Sequence, residues 1–336
     1  MQPPRAGTKC YCNVTAMEKG LDPVGHAHDF DDAVVLEVPL PWKLDMYHEA
    51  GALPQQVIDL LGIWLKRYQE GHGYRHRPLM VAPDPVYSRP GFRRVMFYER
   101  QPGLFARFTK TEYLVPEAEM GALVWALYEA RDQLPRFEQF RDSTQDTTRD
   151  LLVCTHGTVD AACAKFGFPL YNNLRRNYAG DRLRLWRVSH FGGHVFAPTM
   201  MDMPTGHYWA YVGDKQAEQI VRYSGDVRDL YGHYRGWAGL EDGFLQAAER
   251  ELWMRYGWEW FSYAKSGRIT AKDESSEEPT WADLQIEYSA PGSFKSELYS
   301  ARVEIHKRVS TAHGTDHESE YAYPQFSVAE YQLAHS

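Results

Sequence analysis

Four side chains in the middle of the chain could share a metal. Cys154 and Cys163 stand eight residues apart in between, as C-x8-C, and His190 and His194 follow as H-x3-H around the pair Gly192-Gly193. Thiolates are soft donors and imidazoles borderline ones, a set that suits both zinc and iron–sulfur clusters. Structural zinc sites usually pair their cysteines at C-x2–4-C. A gap of eight leaves a loop long enough to wrap a larger two-iron group. The glycines let the backbone come close to a bulky inorganic group, and their N–H groups could donate to bridging sulfurs. The residues alone leave a Cys2His2 zinc site and a Cys2His2 [2Fe-2S] cluster both open. Thiol–disulfide exchange by Cys154 and Cys163 is the weaker third chemistry, because no C-x-x-C is present.

The neighbours of these four have roles of their own. Cys154-Thr-His156 imitates one half of a Rieske site, but Cys163-Ala-Lys-Phe166 denies the second half. His156 is therefore expected behind the ligands as a donor, or facing solvent. Asp160 reads as a helix cap. Ser189 and Thr155 could donate to cluster sulfurs or make turn hydrogen bonds. Cys10, Cys12, His26 and His28 form another Cys/His set near the N-terminus. C-x-C is too tight for a usual zinc knuckle, and these thiols are expected to be free in a loop. Arg175, Arg176, Arg182, Arg184 and Arg187 suggest either a solvated strand face or a docking patch for an acidic redox partner.

Composition narrows the field. Four cysteines in 336 residues make no disulfide scaffold. A formal net charge of −8 argues against nucleic acid as a partner. No run of about 18 apolar residues suggests a membrane span, and the first residues carry no apolar signal region. A cytoplasmic location with no membrane contact is the expectation. Neither G-x-x-x-x-G-K nor G-x-G-x-x-G occurs, so a nucleotide role has no motif to rest on.

The elements that must position the site follow from periodicity. Residues 32–38 read as a buried strand, and 53–68 as a helix with Val57, Leu60, Leu61, Trp64 and Leu65 on one face. Short strands are expected at 79–82, 94–98, 105–108 and 112–115, then a helix over 117–132. The polar run 141–150 reads as a linker. After it come a strand ending at Cys154, a short helix from Asp160 ended by Gly167 and Pro169, and a second short helix over 170–178. A strand over 183–189 delivers His190, and further strands start at His194 and Tyr208 before a helix from Asp214. This order, β-α-(α)-β-β-β-α, predicts a thioredoxin-like domain. A helix over 240–256, an acidic loop at 272–278 and antiparallel strands at 282–288, 298–309 and 325–328 complete the chain. No internal repeat is visible. The fold class is α/β: an N-terminal α/β domain (1–146), a thioredoxin-like cluster-binding domain (147–238), and a C-terminal helix with antiparallel strands (239–336).

One longer pattern gathers these residues together. C-T-H-G-x-x-D-x-x-C-x-x-x-G-x-P from Cys154, then S-H-x-G-G-H-x-F-A-P-T and a P-x-G ending at Gly206, resembles the sucrase/ferredoxin-like family of thioredoxin-like ferredoxins. Weaker likeness lies in Cys10, Gly25-x-Ala27, Glu37-Val-Pro-x-Pro-Trp42 and Tyr256-Gly-Trp258. The chain departs from the family at Gly25-His-Ala27, where G-T-A is usual. The resemblance implies a [2Fe-2S] cluster held by Cys154, Cys163, His190 and His194, and electron transfer with a redox partner protein. Imidazole ligands further imply that reduction couples to proton uptake. Nothing in the sequence offers a carboxylate pair for glycoside hydrolysis.

Overall fold

The computed structural model describes residues 10–335 except 48, 50, 74, 317 and 318. The chain is α/β, with one large mixed sheet and a second antiparallel sheet. Strand β1 (Asp32–Glu37) is followed by helix α2 (Gln55–Gln69), β2 (His76–Val81), β3 (Phe92–Glu99), β4 (Thr109–Pro116) and α3 (Met120–Tyr128). A short helix, α1 (Cys12–Glu18), precedes them. Then come β5 (Arg149–Cys154), α4 (Ala161–Asn177), β6 (Leu183–Val188), β7 (Met200–Met203), β8 (His207–Trp209) and α5 (Asp214–Arg222). The large sheet has the order β4-β3-β1-β2-β6-β5-β7-β8-β9, where β9 is Tyr234–Trp237.

This order contains a repeat that the residues do not announce. β1 runs parallel to β2 and antiparallel to β3, which pairs antiparallel with β4. β5 runs parallel to β6 and antiparallel to β7, which pairs antiparallel with β8. Both halves are thus β-α-β-β-β-α units with the same thioredoxin-like strand order. They join edge to edge through one antiparallel pair, Val81 with Val188. Glu37 lies opposite Val81 on one side of that seam, and Cys154 lies opposite Val188 on the other. A buried glutamate therefore occupies in the first unit the place of the cysteine in the second.

The seam is narrow, but charged contacts between the halves reinforce it. Asp150 of β5 accepts from Lys110 of β4 at 2.5 Å, from Arg184 of β6 at 2.8 Å and from Tyr98 of β3 at 2.8 Å. Glu112 of β4 accepts from Arg184 at 2.7 Å and pairs with Arg94. All of these side chains are buried. Removed from water, each charge is tolerable only because several partners face it. Their attraction outweighs burial and holds the Asp150 carboxyl far below its usual range.

The polar stretch expected as a linker is fastened down: Arg141 grips Asp146 with two nitrogens, and Arg94 reaches Asp142. Helix α6 (Gly243–Tyr256) begins at an Asp242 cap, ends at Gly257, and packs on the second sheet. That sheet is a meander of β10 (Ala264–Lys272), β11 (Trp281–Ser289), β12 (Glu297–Ala312) and β13 (Glu320–His335). One hydrophobic cluster runs from Val35 through Leu152 and Trp253 to Phe326.

Several local expectations are corrected. Residues 105–108 make no ladder beyond a single bridge from Phe105 to Lys265. The helix expected over 117–132 opens with a 3-10 turn and ends at Tyr128. Gly167 and Pro169 do not break α4, which runs unbroken through both. Cys163, Gly167, Leu170 and Leu174 bury one face of it, and that packing offsets the roughly 3 kcal/mol local cost of an interior proline. His194–Phe196 is a 3-10 turn rather than a strand.

Candidate metal centre

Cys154 arrives at the end of β5, and Cys163 sits on the first turn of α4. The Asp160 side chain caps that helix by accepting from the Ala162 amide at 2.8 Å. Gly167, one turn beyond Cys163, lets α4 lie directly on the strand end: a Cβ there would stand 2.0 Å from the Cys154 carbonyl oxygen. Strand β6 then delivers His190. Its Nδ1 lies 3.8 Å from Cys154 Sγ and 3.6 Å from Cys163 Sγ. The two sulfurs and a nitrogen of His190 all lie within 4.8 Å of one another. Gly192 and Gly193 follow with φ of 92° and 78°. A Cβ on Gly192 would stand 2.4 Å from the His28 ring, and one on Gly193 2.5 Å from the Arg235 guanidinium. Conformation and space both demand glycine there.

The fourth expected ligand joins a neighbouring group. The His194 ring centroid is 5.7 Å from that of His190, but its Nδ1 faces Cys12 Sγ at 3.4 Å and Asp160 Oδ2 at 3.5 Å. Cys12, Asp160 and His194 form a second set of donors within 4.8 Å. The hairpin between β12 and β13 covers it. Thr315 donates its hydroxyl to Asp160 Oδ1 at 2.6 Å and its amide to Oδ2 at 2.8 Å. Cys12 is a free thiol, as is Cys10, but it does not lie in a loop: it is buried at the start of α1, whereas Cys10 is exposed. The sequence showed Cys12 as half of C-x-C, but Thr315, 303 residues on, carried no signal at all.

Electrostatics separates the thiols. The hydrogen bond from Cys163, with His190 beside it, draws the Cys154 thiol well below its ordinary range, while the same bond to Cys154 and burial push Cys163 well above. The pair is built to hold one thiolate readily, and the second only against a cation. Burial, with Asp160 adding to it, raises Cys12 to about 12. Burial also works to raise Asp160, but the Thr315 and Ala162 hydrogen bonds outweigh it and leave the carboxyl low.

His156 corrects its expectation. It is buried, and its Nδ1 accepts from the His190 amide at 3.2 Å, so it fixes the His190 backbone as an acceptor rather than as a donor. Burial lowers its pKa, in keeping with a neutral ring. The Ser189 amide and hydroxyl are both committed to Met80 across the seam. Of the five arginines, Arg184 is spent in the buried network, Arg175 on Asp84 at 2.9 Å, and half-buried Arg187 on the Thr155 hydroxyl at 3.4 Å and the Phe168 ring, which leaves Arg176 and Arg182 exposed. His26 meets the Pro324 carbonyl, and burial lowers it to about 4. His28 turns toward the glycine pair, where burial beside Arg77 and Arg235 lowers it to about 3.

The family model described as sucrase/ferredoxin-like matches residues 23–236. The chain belongs to this family. No curated protein and no solved structure matches it. The family span holds both β-α-β-β-β-α units and the Cys154–Cys163–His190 group. Cys12 and Thr315 of this sucrase/ferredoxin-like chain lie outside it. The site as a whole offers two adjacent Cys/His groups that could hold metal, and the family suggests a ferredoxin-like role. Among the described residues, no helix is long and apolar enough to cross a membrane.

Proposed function

We propose that this protein transfers electrons through a [2Fe-2S] cluster held by Cys154, Cys163, His190 and His194. The observation that carries this reading is the buried meeting of two cysteine sulfurs and a histidine nitrogen within 4.8 Å, with a second histidine ring 5.7 Å from the first. The residues fit the group. Two sulfurs and two imidazoles are donors iron–sulfur centres accept, and the bare glycine backbone leaves room beside them. When bound, the cluster would take up and release one electron at a time.

The chain's part is to set the conditions for that exchange. Two thiolates bring half the negative charge of four, so an added electron meets less repulsion. His156 fixes the backbone of His190, and Asp160 holds His194 from its Nδ1 side. An imidazole can also carry or lose a proton, which gives reduction a route to couple with protonation. The electron source would be a separate redox protein, and exposed Arg176 and Arg182 suit an acidic one.

Anaerobic purification tests this reading. Iron with labile sulfide and visible absorption bands is expected. Colourless protein with one zinc per chain sinks it, and supports a zinc-stabilised interaction module without redox activity.

A further inference from the structure

A cavity of about 580 Å³ opens on the His190 side of the centre. Such a volume suits a small organic ligand. One wall is a stripe of α2, Leu61, Leu65 and Tyr68, spaced so that they share a helix face. Leu65 is 48% exposed and Tyr68 62%, so this wall is open to a ligand. Pro78 and Tyr47 extend the apolar lining, and Arg77, His28, Gly192 and His190 complete it. No carboxylate appears among the described lining residues.

Arg77 is the decisive group. It has no ion pair and no hydrogen bond among the described residues, and its Nε is buried without a partner. Most arginines packed near the two units have an acceptor: Arg94, Arg149, Arg175 and Arg184 all hold carboxylates. A guanidinium left over in an apolar cavity calls for an anion.

We propose that this cavity binds a small planar aromatic anion, its rings against the Leu61–Leu65–Tyr68 stripe and its acidic group on Arg77. A molecule seated there would lie against His190, whose Nδ1 faces the thiols. This goes beyond the electron-transfer reading and stands on side chains that need no metal.

The test is calorimetric titration of the full chain with naphthalene-2-sulfonate and its neutral counterpart naphthalene-2-sulfonamide. The metal content of each preparation is recorded. The anion is expected to bind about tenfold more tightly or better, as one charge-assisted contact implies. Arg77→Gln should erase that preference. Leu61→Trp, which fills the cavity and leaves Arg77 in place, should abolish binding of both compounds. Absence of saturable anion binding overturns the inference, with or without metal in the protein. So does equal affinity for the two compounds, or binding that survives both substitutions. Metal content bears on the electron-transfer reading alone, so the two can fail separately.

Discussion

Replacing Gly167 by alanine should damage both stability and metal binding, against the ordinary trend. In a helix interior alanine is better than glycine by about 1 kcal/mol, so propensity alone predicts a gain. The structure predicts the reverse. The new Cβ would stand 2.0 Å from the Cys154 carbonyl oxygen and 3.1 Å from its carbon, both backbone atoms that no rotamer change can remove. Restoring ordinary contact, at 3.4 Å, requires α4 to withdraw by about 1.4 Å. Overpacking of this kind costs about 1–3 kcal/mol. The withdrawal also carries Cys163 away from Cys154, whereas metal donors must hold their distances to about 0.2 Å. Urea unfolding and metal content per chain are the assays. Gly180→Ala serves as control, since nothing lies within 4 Å of the added atom, and should stay within about 0.5 kcal/mol of the parent. A Gly167→Ala protein that is as stable as the parent and fully loaded would refute the close-approach reasoning.

Further outcomes concern the ligands, the network and acid. Cys154→Ser or Cys163→Ser should strip the metal while Cys10→Ser leaves it, as read by metal analysis. His194→Cys should retain it and lower the midpoint potential by roughly hundreds of millivolts; an unmoved potential means that His194 is not a ligand. Lys110→Met should destabilise the fold by about 3–5 kcal/mol, because it strips Asp150 and Glu112 of a buried cation; a neutral result by denaturant titration would show the network to be dispensable. His26 is lowered from 6.5 to about 4 by burial, and His207, unpartnered at both nitrogens, falls well below its usual range for the same reason. Both are basic groups with depressed folded values, so the unfolded chain takes the proton first. Stability is then lost as pH falls from 6.5 toward 4, by about 3 kcal/mol at most from His26. His207→Phe, stacked as His207 is on Phe261 at 3.6 Å, should flatten part of that loss; an identical acid profile in the variant would refute the assignment.

What was legible in the sequence was whatever repeats at short range. The strand ending at Cys154, the Asp160 cap and the strand before His190 follow from local periodicity, and they are where the structure puts them. Gly167 and Pro169 misled because a helix end is a local signal, while the continuity of α4 is decided by burial on β5. The doubled unit was hidden for a different reason. Equivalent positions share a backbone role and not a side chain, as Glu37 and Cys154 illustrate. His194 was found as a donor but its company was not, since Cys12 and Thr315 reach it from opposite sides of the chain. No spacing rule covers 303 residues.

That separation bears on how the centre is made. Cys12 and Thr315 meet only after the intervening chain has ordered, and closing so long a loop is entropically costly and slow. During synthesis both β-α-β-β-β-α units can form well before the β12–β13 hairpin emerges. In that interval the Cys12–Asp160–His194 group has no cover from the hairpin. Once Thr315 docks on Asp160 that side of the group is covered. Covering of the Cys12–Asp160–His194 group is thus ordered in time by the position of a hairpin, while the cavity on the His190 side does not depend on it.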